Sequence, residues 1–392
     1  MLFSPRNRII CPKTLFAIRP KPIKLAFYRS CADIYVITGN YTMTEKNRTV
    51  AKKLTLPKNF GKMLAGASVC YLALALHLYR PYIPKFQPVQ YLFIANSIAG
   101  ALGCFVLSRR WVSSFVGSLL AGAIYGFGPF ALSFAAYHPF AGLPMAAVPW
   151  LFCQAAFFRH NTLHKKNFHE FVGLAVLTLL PFAAIALFFW VCAQPWWIKG
   201  PFFPLPKTEQ MTLTHMAGFL VPLSAKGSFA FAFYHVPVAA IVMGLCMYAA
   251  AERFGVLLLV ALGFALAFFD TVTPVSPVVW ALVPVMFCAI LAGLGMQGLA
   301  WSGTADRKWI LLDIAFIAGC AILTTMLATG QSAVISVKAA ALMYWLSVIL
   351  LATLFFIAKA SVRWHILRWI LLSAAMAIDI VFGATLIIDK AL

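Results

Sequence analysis

"YGFGPFALSFAAYHPFAGLPMAAVPW" occupies Tyr125–Trp150 and contains no charged residue. Gly126, Gly128 and Pro129 interrupt its first apolar run. Pro139 and Pro144 interrupt the second, and Tyr137 and His138 lie between the two. Side chains this apolar belong in hydrocarbon. A helix breaker there is tolerated only where the backbone it frees is buried in protein or borders water. The stretch therefore predicts two membrane-crossing helices joined by irregular backbone. That backbone either lines an outward-facing cavity or turns at its rim. The plainer alternative is a helix end with an interfacial aromatic.

The rest of the chain has the same character. Hydrophobic types make up 63% of 392 residues and charged types 10%. Soluble domains are nearer half apolar and a quarter charged. The apolar runs are long and do not alternate, which favours helices over a closed barrel. From Gly61 onward eleven runs approach the ~20 residues that a bilayer requires. They lie near 61–79, 89–108, 112–131, 142–159, 170–193, 229–251, 254–270, 276–298, 309–329, 337–358 and 364–387. A shorter apolar piece, 212–223, is too brief to cross. The expected fold is an all-α polytopic integral membrane protein, without repeats of 20–50 residues.

The net charge of +21 would suggest nucleic acid in a soluble protein. Here its distribution sets orientation instead, and no nucleic-acid partner is expected. With the N-terminus inside, 24 of the 31 Lys and Arg residues fall on the cytoplasmic side and 7 outside. Without the tail up to Lys62 the split is 11 to 7, of the same sign. The C-terminus then falls outside, and the setting is the cytoplasmic (inner) membrane, with membrane lipid as the partner. Residues 1–59 carry twelve Lys or Arg against Asp33 and Glu45, with no run of span length. They read as a basic, disordered cytoplasmic tail, and Met43 resembles a natural start, which would make 1–42 an over-called beginning. Residues 60–392 form the membrane domain. The nine cysteines include no CxxC pair, and the seven in or at the ends of apolar runs (Cys70, Cys104, Cys153, Cys192, Cys246, Cys288 and Cys320) read as small buried hydrophobes.

One longer stretch, "ANSIAGALGCFVLSRRWVSSFVGSLLAGAIYGFGPFALSFAAYHPFAGLPMAAVPWLFCQAAFFR" (Ala95–Arg159), resembles the core of the GT-C superfamily of membrane glycosyltransferases, in its YfhO-like bacterial branch. A helix ends in the paired Arg109-Arg110, and a small-residue helix then ends in a Tyr-x-Phe pattern. An outer loop with His138 follows, and then a Leu/Pro/Trp helix that ends in a basic residue. "FDTVTPVSPVVWALVPVMFCAILAGLGMQGLA" (Phe269–Ala300) is similar to that branch's Thr/Pro-rich entry and Leu-Ala-Gly-Leu-Gly helix end. "HMAGFLVPLSAKGSFAFAFYHVPVAAIVMGL" (His215–Leu245) falls where the family has an outer loop and a helix start. The resemblance spans roughly Gln90–Ala300. It implies a polyprenyl-phosphate-linked sugar donor handled at the outer face, with an acidic residue on the first outer loop as base or metal ligand. This sequence departs there, because "RPYIPKFQP" (Arg80–Pro88) holds no Asp or Glu. Either the chain is a shortened relative, active or not, or the carboxylate comes from elsewhere, so the sequence does not decide whether it is an enzyme.

Few groups are candidates for a site. Glu209, Asp270 and Asp389 are the outward acids, and Asp270, beside Thr271 and Thr273, is the best placed as a base. Tyr137, His138, Lys199, Lys207 and His215 are candidates for binding substrate, the two lysines through a lipid phosphate. Interfacial anchoring accounts for the Trp196/Trp197 loop equally well. Asp379 lies inside the last span. An ionised Asp at mid-membrane costs ~2.5–3.5 kcal/mol on insertion scales, so it is either functional or bonded in protonated form to a neighbouring helix. Asp313, near the inner end of its span, is expected to reach the headgroups. His160, His164 and His169 share a basic inner loop with Lys165-Lys166, which would repel a cation. A divalent metal remains open as a cofactor, with no ligand set evident. No P-loop, dinucleotide fingerprint, HExxH or GxSxG occurs. Three functions remain: GT-C-like sugar transfer, transport of a lipid or solute past Asp379 and the broken third span, or a non-catalytic scaffold. Reporter fusions within 132–141 and 271–275 are expected to report the outer side, and fusions within 160–169 the cytoplasm. The reverse pattern would invert every assignment of an outward pocket.

Overall fold

The computed structural model describes residues 59–137, 139–157, 168–193, 211, 235–250, 254–269, 275–301, 307–326, 337–360 and 365–391. The basic tail and the Lys199, Lys207, His215, Asp270 and His138 positions lie outside the described residues. Twelve α-helices are described: α1 Phe60–Tyr79, α2 Tyr91–Ser108, α3 Phe115–Gly126, α4 Pro129–Tyr137, α5 Gly142–Phe157, α6 Phe168–Ala193, α7 His235–Ala250, α8 Phe254–Phe269, α9 Leu282–Trp301, α10 Arg307–Met326, α11 Val337–Ala360 and α12 His365–Ala391. No strand occurs among the described residues.

Eight helical stretches are long and apolar enough to cross a membrane: Phe60–Tyr79, Pro88–Ser108, Phe115–Phe134, Pro139–Phe157, Phe168–Val191, Pro277–Trp301, Lys308–Met326 and Ile366–Asp389. Three shorter apolar helices, His235–Tyr248, Gly255–Phe269 and Ala341–Ile357, stand where the sequence places three further spans. The protein is thus an all-α, multi-pass membrane protein. Leu72, Leu258, Leu346, Ile349 and Phe356 are among the large apolar side chains left on its surface, where lipid would cover them.

One helix organises the bundle. In the stretch that contains α9, 94% of the most apolar 18-residue window is buried, whereas within α6 the share is 17%. α9 packs against α7, α3, α8 and α12. Small residues make this possible, because lipid supplies no hydrophobic drive between helices and close packing must hold them. A Cβ on Gly295 would strike the Ala240 carbonyl of α7, and one on Gly293 would strike the Gly117 carbonyl of α3. The "LAGLG" end of α9 is therefore a packing signature. Near its C-terminal end the Gln297 side-chain oxygen accepts from the backbone N–H groups of Ser113 (2.9 Å) and Ser114 (3.1 Å). The Ser114 hydroxyl accepts from Gly117 N–H at 3.0 Å, capping α3.

The breakers of the opening stretch serve the same packing. The third span is longer than the sequence suggests and is broken inside, at Phe127-Gly128, before continuing as α4 to Tyr137. Phe127, Phe130 and Phe134 are all buried, so this backbone is enclosed by protein. Pro149 in α5 has no N–H, which deprives the Met145 carbonyl of its helical donor. The Tyr125 hydroxyl donates to that carbonyl at 2.7 Å. The Asn96 amide of α2 likewise donates to the Pro139 carbonyl at 2.9 Å, which tucks the Pro139–Ala141 turn against the bundle. Tyr125→Phe keeps the ring and leaves the Met145 carbonyl unpaired. It is expected to cost about 1–2 kcal/mol, read as a lower unfolding midpoint in detergent.

Candidate functional site

Asp379 is the fifteenth of the 27 residues of α12, so at ~1.5 Å per residue it lies about 20 Å from either end. One carboxylate oxygen, Oδ2, accepts from the Val236 backbone N–H at 3.0 Å. Val236 is the second residue of α7, whose first-turn N–H groups have no helical partners. Asp379 thus caps α7 from a neighbouring helix, at the positive end of that helix's dipole. The bonded half of the sequence expectation is met, with Asp379 as acceptor. The other oxygen, Oδ1, is 3.9 Å from Nδ1 of His235. His235 is 2% exposed, and neither ring nitrogen has a hydrogen-bond partner among the described residues. Its ring meets Tyr344 of α11 edge to face, with centroids 4.8 Å apart and planes at 87°. Three helices therefore bring a carboxylate, an imidazole and a phenol together in the middle of the bundle.

Sequence reasoning singled out Asp379 and missed its two partners. It started the sixth span at 229, which hides His235 inside a run. Pro237 carried the signal, because proline is favoured in the first turn of a helix and disfavoured further in. Asp313 also departs from expectation. It is 1% exposed and does not reach solvent, and neither oxygen has a hydrogen-bond partner among the described residues. It faces α7 near Cys246. α10 turns it inward, since Asp313, Ile317, Cys320 and Thr324 form one buried stripe at helical spacing.

The other candidates are spread out. Tyr137 ends α4, and its side chain is not among the described ones. Met211, the described residue of the long loop, is buried and donates its N–H to the Ala267 carbonyl near the end of α8. At the end of α12, Asp389 accepts a hydrogen bond from the Tyr82 hydroxyl, which lies in the α1–α2 connection. That bond raises the Tyr82 pKa above the usual tyrosine value, with slight burial and the nearby negative charge adding to it. No group of three or more His, Cys, Asp or Glu that could hold a metal ion occurs among the described residues. Comparison with protein-family models, curated proteins and solved structures finds no match in any of the three.

Removing the Asp379 carboxylate should cost α7 its cap. Asp379→Ala is expected to lower stability by about 1–2 kcal/mol, and Asp379→Asn, which retains an acceptor oxygen, by clearly less. Unfolding in detergent distinguishes the two. Equal losses would mean that the contact to Val236 contributes nothing.

Proposed function

We propose that the chain is an eleven-span protein of the cytoplasmic membrane, with its N-terminus inside and C-terminus outside. In this reading it carries a lipid or solute across the bilayer past Asp379. The contact between Tyr82, just beyond α1, and Asp389, at the end of α12, supports an odd number of crossings. It sets the C-terminal ends of the first and last helices side by side, so the two helices run parallel. Eight crossings alone would leave them antiparallel, whereas α7, α8 and α11 raise the number to eleven and restore the parity. The observation that carries the transport reading is the carboxylate–imidazole pair at mid-depth, a position where ionisable groups are costly and mark pathways. A transferase needs its base where a headgroup meets an aqueous acceptor, about 20 Å away.

A second reading, GT-C-like transfer of sugar from a polyprenyl-phosphate donor, is favoured by one contact. The first outer loop lacks an acid of its own, but Asp389 meets it at Tyr82. In that reading Asp389, rather than Asp270, supplies the carboxylate, and a divalent metal would need ligands beyond it.

Proteoliposomes test both. The panel is an NBD-labelled phospholipid, a radiolabelled hexose and a radiolabelled amino-acid mixture, with a polyprenyl-phosphate hexose as sugar donor. The transport reading expects one of the first three to cross faster than in protein-free vesicles. Asp379→Asn should slow it by about tenfold or more, equivalent to ~1.4 kcal/mol. Sugar released from the donor and lost in Asp389→Asn, with no translocation, would establish the second reading. Absence of all these activities would overturn both.

A further inference from the structure

We propose that Asp379 and His235 form an intramembrane proton-binding site, one shared site rather than two separate groups, at the start of α7. This deepens the transport reading and rests on it for its biological purpose, but the binding itself requires no translocation.

The geometry provides two arrangements. A neutral imidazole has one N–H donor and one acceptor nitrogen. Leaving both unpaired in a buried setting costs roughly 1–3 kcal/mol for each group, and such orphaned groups in native proteins call for an explanation. Here Asp379 Oδ1, 3.9 Å from Nδ1, is about 1 Å beyond hydrogen-bond distance. In one arrangement the carboxylate is ionised, held through Oδ2 by Val236 N–H, and the imidazole is neutral. In the other a proton taken from water converts the imidazole to imidazolium. Nδ1–H then donates to Oδ1, and the pair changes from one negative charge to none. The first state leans on the α7 dipole, the second on the direct ion pair. Hydronium delivers the proton: one of its O–H bonds breaks as the Nδ1–H bond forms, and water is left behind.

The other ionisable groups nearby are engaged elsewhere or stand further off. Of the elements packed against α12, α11 brings Tyr344 against the imidazole ring. The α1 tyrosines are engaged elsewhere, Tyr71 donating to the Leu119 carbonyl and Tyr79 contacting Ser97. Tyr125 of α3 donates to Met145. α9 contributes Cys288, a partly buried thiol, and Tyr137 ends α4. On α12 itself Arg368 lies three turns towards the start of the helix and Asp389 nearly three turns towards its end. Asp313 on α10 faces α7 near Cys246, which is eleven residues along α7 from His235, or about 16 Å.

The test uses the full chain in nanodiscs, without substrate, and infrared difference spectra between about pH 5 and 8, the range in which histidine charge ordinarily changes. The wild type is expected to show an imidazole band, identified by its shift on [15N]histidine labelling and assigned to His235, among the eight histidines of the chain, by its loss in His235→Gln, together with a carboxylate band lost in Asp379→Asn. Both bands should vanish in Asp379→Asn and both in His235→Gln, whereas Asp313→Asn leaves them in place. Asp379→Asn keeps an oxygen for Val236 N–H, and a retained unfolding midpoint verifies its fold. Should that variant unfold, His235→Gln alone decides, through loss or persistence of the carboxylate band. Persistence of either band when the partner is replaced would overturn the shared site, as would absence of both bands in the wild type. Because the spectra involve no transport, failure to move any probe in vesicles bears on the transport reading and leaves this result unaffected.

Discussion

Hydrocarbon offers no hydrogen bonds, and three irregularities in this bundle are arranged around that deficit. Where Pro149 strands a carbonyl, a tyrosine hydroxyl reaches it from α3. Where α3 begins, Gln297 covers two N–H groups from α9. Where α7 begins at mid-depth, a carboxylate from α12 stands in for a cap. These partners lie far apart in sequence, so each repair also fixes how two helices sit against each other. The glycine faces of α9 bring the backbones close enough for such repairs to reach.

The fold was legible because bilayer thickness sets a length that sequence must meet, and eight of the eleven apolar runs fall on helices of that length while three fall on shorter apolar helices. The break in the third span was legible as a break, since Gly128-Pro129 cannot continue an ordinary helix. Its enclosure was not, because whether freed backbone meets water or protein depends on neighbours hundreds of positions away. The same limit applies at the site. Asp379 stands out as a carboxylate in an apolar run. His235 does not, since only the proximity of α12 and α11 separates it from an ordinary histidine near a loop. Asp313 was misplaced for a related reason. Distance from a helix end suggests access to the surface, but the buried stripe on α10 turns the side chain towards α7 instead.

The resemblance to the GT-C glycosyltransferases can be weighed in the same physical terms. Its "LAGLG" and Tyr-x-Phe elements are occupied in helix packing, with Gly293 and Gly295 against neighbouring carbonyls and Tyr125 bonded to Met145. Such elements suit any tightly packed bundle, and so they speak to architecture more than to chemistry. Asp389 beside Tyr82 and Asp379 beside His235 are the contacts that bear on chemistry, and they lie at different depths.

The parallel alignment of the first and last helices has a practical consequence for building with this scaffold. In the proposed eleven-span topology residue 60 and residue 391 lie on opposite faces of the membrane, so two copies of the membrane domain cannot be joined in tandem by a short flexible tether. A single-chain double would need an additional apolar segment to carry the polypeptide back through the bilayer, and the same requirement governs any circularly permuted version.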